Sequence, residues 1–409
     1  MGIEVRNAAP EEYQAAIDVI STGFLERPDL RAVAESVAEV WESRRTWVAF
    51  DGDRACGTFR STPTRITVPG GAELPAAAVS AVTVLPSHRR RGILTAMAAK
   101  EHAALVERGE CVGLLYASEY PIYGRFGYAP GTRTADWLIA TRATGMRHSP
   151  AGTVELVTPN ESTREILKGV FEAWRPRQAG EISRRDVGWN SRLGLREEPW
   201  GERWKGWVLL HRDATGVVDG YARYKAIPKW EGHGPQAVVE VQELLALTPD
   251  AYAGMIRFLL ELDLVATVKL EGRRESGPVR WLLTNARAAR PADAGDALWV
   301  RLFDVPRALE ARTYERVASL VLEVVDDEAW GGTRRLHLDA TPDGATCRPT
   351  DRSPDLTLPV AALGGAYLGG TRLRDLVLAT GADEHRPGAL AEADALLRTA
   401  EEPWCSTFF

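Results

Sequence analysis

Apolar positions in the first 148 residues fall on two alternating periods. Between Glu11 and Ile20 they recur at helical spacing, whereas Thr46 to Phe50 and Ala55 to Phe59 carry the β-branched and aromatic content of strands. The turn Asp51-Gly52-Asp53 joins those two strands, so a hairpin is predicted. Val79 to Leu85 is a further apolar run, ended by Pro86 and followed by a basic, glycine-containing loop. A helix is predicted from Ile93 to about Arg108, because Ile93, Leu94, Met97, Ala104 and Leu105 fall on one stripe. Cys111 to Ala117 then reads as a buried strand and completes a strand, loop, helix, strand unit.

The segment from Gly152 to Arg290 repeats this grammar faintly. Gly220-Tyr221-Ala222-Arg223-Tyr224 resembles the strand Cys56-Gly57-Thr58-Phe59-Arg60, and Val238 to Thr248 with Pro249 resembles Val79 to Pro86. The second copy passes from Pro249 straight into a helix over Ala251 to Leu262, with no arginine and glycine loop between. A degenerate, structural duplicate is therefore expected. Ala289 to Asp296 reads as a turn-rich linker. Beyond it, Ser319 to Val324 is β-rich, Arg335 to Asp339 alternates, and Ala389 to Thr399 reads as a helix, giving a third, α+β part.

The length of 409 residues supports this division, since one hydrophobic core stops growing near ~250–300 residues. The expected domains are 1–148, 149–292 and 293–409, in a mixed α/β and α+β chain. A formal charge of −6, from 56 acidic and 50 basic side chains, gives no electrostatic footprint for nucleic acid or an anionic membrane and favours a cationic substrate. The N-terminal residues lack a signal-peptide pattern and no apolar run reaches the ~18 residues of a membrane span, so a cytoplasmic protein is expected. Cys56, Cys111, Cys347 and Cys405 are scattered and the seven histidines form no ligand motif, so buried free thiols and no metal are expected.

The strongest chemical signal is His88-Arg89-Arg90-Arg91-Gly92-Ile93-Leu94-Thr95, preceded by Ala81-Val82-Thr83-Val84. Amides at a helix N-terminus converge on a pyrophosphate, and the helix dipole favours its charge. Gly92 lets the backbone approach closely, and Arg90 and Arg91 can add charge-assisted contacts.

Val82 to Leu94 resembles the acetyl-CoA motif of the GNAT acetyltransferases, with Leu94 where the general motif has Gly or Ala. Arg-Arg-Gly followed by two apolar residues is similar to the variant of the enhanced intracellular survival (Eis) family. Ala117-Ser118-Glu119 followed by Ile122-Tyr123-Gly124-Arg125-Phe126-Gly127-Tyr128 resembles a hallmark of that family. Asp355 to Leu358 and Leu363 to Gly370 look like the signature of a sterol-carrier-protein-like domain. The resemblance covers the whole chain and implies a GNAT domain, a degenerate GNAT-like domain and a sterol-carrier-protein-like domain. It further implies acetyl-CoA bound along Val82, Thr83 and Val84, by Arg90, Arg91, Gly92, Ile93, Leu94 and Thr95, and near Ser118 and Glu119. Tyr123 takes the place of the family's general acid and the terminal carboxylate of Phe409 that of its general base, in a homo-hexamer that acetylates aminoglycoside or other polyamine substrates, or protein lysines.

The chemistry is consistent when argued from the groups themselves. A substrate ammonium with pKa near ~10 must lose a proton before it attacks a thioester, and the departing thiolate needs one, which a tyrosine hydroxyl can give. A terminal carboxylate, ordinarily near ~3.5, would have to work desolvated or through water. The plain alternatives are a core tyrosine for Tyr123 and a frayed end for Phe409, although Trp404, Phe408 and Phe409 argue for a packed end. Trp200, Trp204 and Trp207 could suggest a carbohydrate platform but read better as core or interface residues, and Glu26 and Asp29 are candidates for a cation-attracting rim. The competing functional reading is a non-catalytic protein whose third domain holds an apolar ligand, with the GNAT units as scaffolding.

Overall fold

The structure, a computed structural model, describes residues 2–27, 33, 41–198, 201–327 and 330–409. In the first unit β1 (Ile3–Asn7), β2 (Thr46–Asp51), β3 (Arg54–Thr67) and β4 (Glu73–Val84) form an antiparallel series, the predicted hairpin being β2 and β3. Helix α1 (Tyr13–Gly23) packs on β3 and β4, and α2 (Ile93–Glu107) returns the chain to β5 (Val112–Tyr116), which pairs parallel with β4. α2 buries Ile93, Met97, Ala98 and Leu105, largely the stripe read from the sequence.

The second unit contains β8 (Thr153–Val157), β9 (Trp207–Arg212), β10 (Val218–Ile227), β11 (Ala237–Ala246) and β12 (Val265–Arg273), with α3 (Glu161–Trp174) and α4 (Pro249–Leu260). The two seven-stranded sheets exchange strands. Including β6 (Ala129–Pro130), β7 (Arg133–Ala140), β13 (Ala289–Asp296) and β14 (Leu298–Leu302), their orders are β1-β2-β3-β4-β5-β14-β6 and β13-β7-β12-β11-β10-β9-β8. β7 thus leaves the first unit to complete the second sheet, and β14 returns to complete the first. Two strands therefore cross a linear division at residues 148/149 and 292/293.

One expectation is corrected here: Ala289–Asp296 is not a linker but an edge strand paired with β7. Its turn-forming residues misled because an edge position tolerates Pro291, which has no N–H to offer, and a register irregularity between Ala292 and Gly295 absorbs Asp293.

The third domain is a five-stranded sheet of order β17-β16-β15-β18-β19, built from β15 (Ala318–Val325), β16 (Arg334–Thr341), β17 (Gly344–Pro349), β18 (Leu356–Pro359) and β19 (Asp383–Glu384). Its core is continuous with the far face of the first sheet, where Val112, Leu298 and Val300 join Leu320, Leu338 and Leu363. The void enclosed by Leu320, Leu358 and Leu396 is about 10 Å³, at most the space of a single water molecule. All four cysteines are free and buried.

Leu298, fully buried where the exchanged strand meets the third domain, ties three parts of the chain together. Leu298→Ala is expected to lower the unfolding free energy by about 2–5 kcal/mol in denaturant titration. A loss within error would show that the exchanged strand is not an integral part of that core.

Candidate functional site

The site begins with a fork in the first sheet. β4 and β5 pair only from Ala76↔Val112 to Val79↔Leu115, and β4 then runs on with a register irregularity against β3 between Thr58 and Arg60. Ala81, inside that irregularity, has φ 51°, a left-handed conformation that bends the strand. Beyond the bend, Val82, Thr83 and Val84 have left β5, so one edge of β4 is free to pair with something else.

At the head of the fork stands the arginine and glycine loop. Arg90 adopts φ 63° and Gly92 φ 75°, and Gly92 is the N-cap of α2 with no side chain capping the helix. A left-handed non-glycine residue costs about 1–2 kcal/mol, strain of the kind that collects at functional sites. The first-turn amides of α2 are left for a ligand.

These elements enclose a cleft of about 380 Å³. Of the residues nominated from the sequence, Val82, Thr83, Val84, Arg90, Gly92, Ile93, Leu94, Thr95, Ser118, Glu119 and Tyr123 line it. Arg91 does not: its guanidinium donates to Asp51 Oδ2 at 3.0 Å and so ties the loop to the end of β2. That pairing holds the Asp51 carboxyl below its ordinary range. Phe409 is also absent from the lining.

The cleft contains residues the sequence reading did not nominate: Gly23, Phe24, His88, Arg89, Ile122 and Arg125. His88 and Arg89 belong to the basic loop before α2, and Ile122 and Arg125 to the motif around Tyr123. Gly23 carried no local signal. A Cβ there would lie 1.8 Å from Thr83 Oγ1, so only glycine lets α1 end against the cleft wall.

Tyr123 is buried just ahead of the short helix Gly124–Phe126. Its hydroxyl pKa is pushed up to about 12, by burial first and by the nearby Glu119 carboxylate second. The group therefore holds its proton throughout the neutral range.

The C-terminal segment is held by charges from the second unit. Glu181, fully buried, accepts from the Ser406 backbone N–H at 2.7 Å, the Ser406 hydroxyl at 2.6 Å and the Thr407 hydroxyl at 2.6 Å. Arg184 donates to Thr407 Oγ1 at 2.7 Å, Ser406 Oγ at 2.7 Å and Glu243 Oε1 at 2.5 Å. Burial alone would raise Glu243, yet the Arg184, Arg192 and Arg223 guanidiniums hold its carboxyl at about 2. Beyond this clamp the Tyr116 hydroxyl donates to the Thr407 carbonyl at 2.9 Å, and the Phe408 and Phe409 rings lie 4.8 and 5.2 Å from the Tyr116 ring. Tyr116 ends β5, two residues before Ser118, so the terminus packs beside the strand that feeds the cleft. Glu181 and Arg184 were not legible as site residues, because nothing local marks them.

Glu26 is exposed after α1, while Asp29 and Trp200 lie outside the described residues. Trp204 is buried and donates to Gln242, and Trp207 stacks on Tyr224 at 5.5 Å, so neither adds to the cleft. Among the described residues no group of three or more His, Cys, Asp and Glu is placed to hold a metal, and no helix is long and apolar enough to cross a membrane.

Residues 4–131 and 180–302 match families described as acetyltransferase (GNAT) domains, and residues 305–406 match a sterol carrier protein domain. An uncharacterized N-acetyltransferase of Streptomyces griseus is 40% identical over 419 aligned residues, covering all of both chains. The N-acetyltransferase Eis of Mycobacterium tuberculosis is 36% identical over 339 residues, covering 80% of this chain and 79% of its own. Among solved structures, Eis1 from Mycobacterium abscessus superposes with a TM-score of 0.86 at 32% identity, covering 100% of both chains.

The Tyr123 hydroxyl gives a pH test. Its folded value of about 12 lies above the ordinary ~10, so the folded chain keeps a proton that the unfolded chain releases. The stabilisation is present below pH ~10 and lost as pH rises through about 12. In phenolate absorbance titrations, the difference between the native chain and Tyr123→Phe should show one tyrosine ionising near 12. Ionisation at the ordinary value would contradict the buried, Glu119-flanked setting.

Proposed function

The chain belongs to the Eis family of GNAT N-acetyltransferases, and from that premise we propose that it acetylates primary amines of a small polycation, an aminoglycoside or polyamine. Tyr123 is the general acid and the Phe409 terminal carboxylate the general base. The GNAT fold implies acetyl-CoA as co-substrate, which supplies an acetyl thioester. The observation that carries the reading is the fork: an unpaired β4 edge leading to the uncapped N-terminus of α2.

The residues divide the work by chemistry. The α2 amides with Arg89 and Arg90 take the diphosphate, while Arg91 positions the loop through Asp51. The free edge of β4 pairs with the extended arm and offers amide donors to the thioester oxygen. Glu119 and Glu26 supply negative charge for a polycation. The terminal carboxylate removes the ammonium proton, the amine attacks the thioester carbon, and the carbon–sulfur bond breaks as Tyr123 protonates the thiolate. A hydroxyl held at about 12 is fully protonated when the thiolate leaves, and the tyrosinate formed recovers a proton, the one that the carboxylate took from the ammonium.

The apolar-ligand reading has less support, since the third domain's interior void is only about 10 Å³. Exposed Trp207, Trp230 and Trp281 favour an oligomer, by the family likeness a hexamer, in which the second unit supplies interface. Light scattering should give a mass several times 44.8 kDa, and a single-chain mass would contradict this.

Thiol release from acetyl-CoA, measured across aminoglycosides, diamines and lysine peptides, tests the central reading. Small polyamines should be turned over, whereas turnover of lysine peptides alone would favour a protein-lysine enzyme. Tyr123→Phe should lose about 100- to 10,000-fold in turnover with acetyl-CoA affinity nearly unchanged. A chain extended by a few glycines beyond Phe409 should behave likewise. Either variant working at the unmodified rate would remove that group from the mechanism.

A further inference from the structure

The second unit forks as the first does. β11 and β12 pair from Ala237↔Val265 to Val241↔Leu270, after which β11 continues to Ala246 while β12 follows β7 through a register irregularity between Leu270 and Arg273. The fork opens on a cavity of about 540 Å³, the counterpart of the first unit's cleft.

Its head is closed to a diphosphate. The Thr248 hydroxyl caps α4 by accepting from the Ala251 amide at 3.1 Å, and Pro249 at the first turn has no N–H to donate. Trp137, Trp174, Tyr252 and Trp404 give it aromatic walls, and Arg177, Arg274 and Glu401 add charged groups.

Arg273 lines this cavity with 7% exposure. Nη1 donates to the Leu244 carbonyl at 2.9 Å, and the Trp404 ring lies over the guanidinium at 5.2 Å. Nε and Nη2, the adjoining pair that forms the side-on fork of an arginine, are occluded from solvent and have no hydrogen-bond partner. Burial pushes the group's pKa down. A desolvated cation with a free bidentate edge is costly unless an anion meets it. Arg274, by contrast, is engaged with Glu401 at 3.0 Å on the rim.

We propose that this cavity is a binding site for a small organic monocarboxylate with a flat apolar body, its carboxylate taken bidentately by Arg273 and its body held against the indoles. A carboxylate matches the planar two-donor edge, and the four aromatic side chains suit a flat apolar body. Entry requires the Trp404 ring to shift. The proposal does not depend on the acetyl-transfer reading.

Calorimetry of the full-length chain with benzoate as probe, at saturating acetyl-CoA so that the first cleft is filled, tests it. One benzoate should bind per chain, and Arg273→Met should weaken it by about tenfold or more, while inorganic phosphate gives no saturable binding. Glu243 and Glu271 act on the guanidinium only through space, with neither bonded to its free edge, so the Met variant should melt no lower than the unmodified chain. Should that variant fail to fold, Arg273→Lys, which keeps charge without the fork, should likewise weaken benzoate. Absence of benzoate binding to the unmodified chain, unchanged affinity in the variant that folds, or phosphate binding as tightly as benzoate would overturn the proposal.

Discussion

The buried carboxylate of Glu181 is the constraint on which the arrangement turns. It accepts three hydrogen bonds from Ser406 and Thr407, and Arg184 completes the clamp while paired with Glu243. These charges come from the second unit, the tail belongs to the third domain, and the tail's end rests on Tyr116 of the first. Releasing the tail would strip the buried Glu181 carboxylate of three hydrogen bonds, and a buried polar group left unpaired costs about 1–3 kcal/mol, more when charged, so the tail is held in place. The exchange of β7 and β14 serves the same end by fixing the two sheets against each other.

Duplication explains why one fold carries two forks of different chemistry. In both units a central pair of strands parts after a few residues, which leaves a strand edge and a helix start facing a gap. The first unit keeps that helix start uncapped behind Gly92, whereas the second seals it with Thr248 and Pro249. The free donors of the second gap sit instead on a side chain, Arg273. A backbone cradle suits a diphosphate, and a planar guanidinium suits a carboxylate.

Much of the first unit was legible because its signals are local. Val79 to Leu85, the loop through Gly92 and the stripe on α2 each announce an element within a few residues, and the cleft gathers the nominated residues from Val82 to Thr95 save Arg91. What was missed depends on distance in sequence. Arg91 looks like a phosphate ligand until Asp51 is seen beside it, and Gly23 has meaning only against Thr83. Ala289–Asp296 has linker composition because an edge strand needs no better, and its partner β7 lies about 150 residues earlier. Glu181 and Arg184 show their role only when the tail arrives from more than 200 residues away.

In the proposed mechanism the second unit, through Glu181, holds the tail beside the first unit's cleft, and the Phe409 carboxylate serves the substrate amine from there. Acetyl-transfer turnover and acetyl-CoA affinity in Glu181→Gln, which keeps the side chain's shape while removing its charge, test it most directly. A marked fall in turnover, unchanged acetyl-CoA affinity and a retained fold by circular dichroism are expected. Unmodified turnover in a folded variant whose tail has been released, as read by faster proteolysis of residues 405–409, would contradict it.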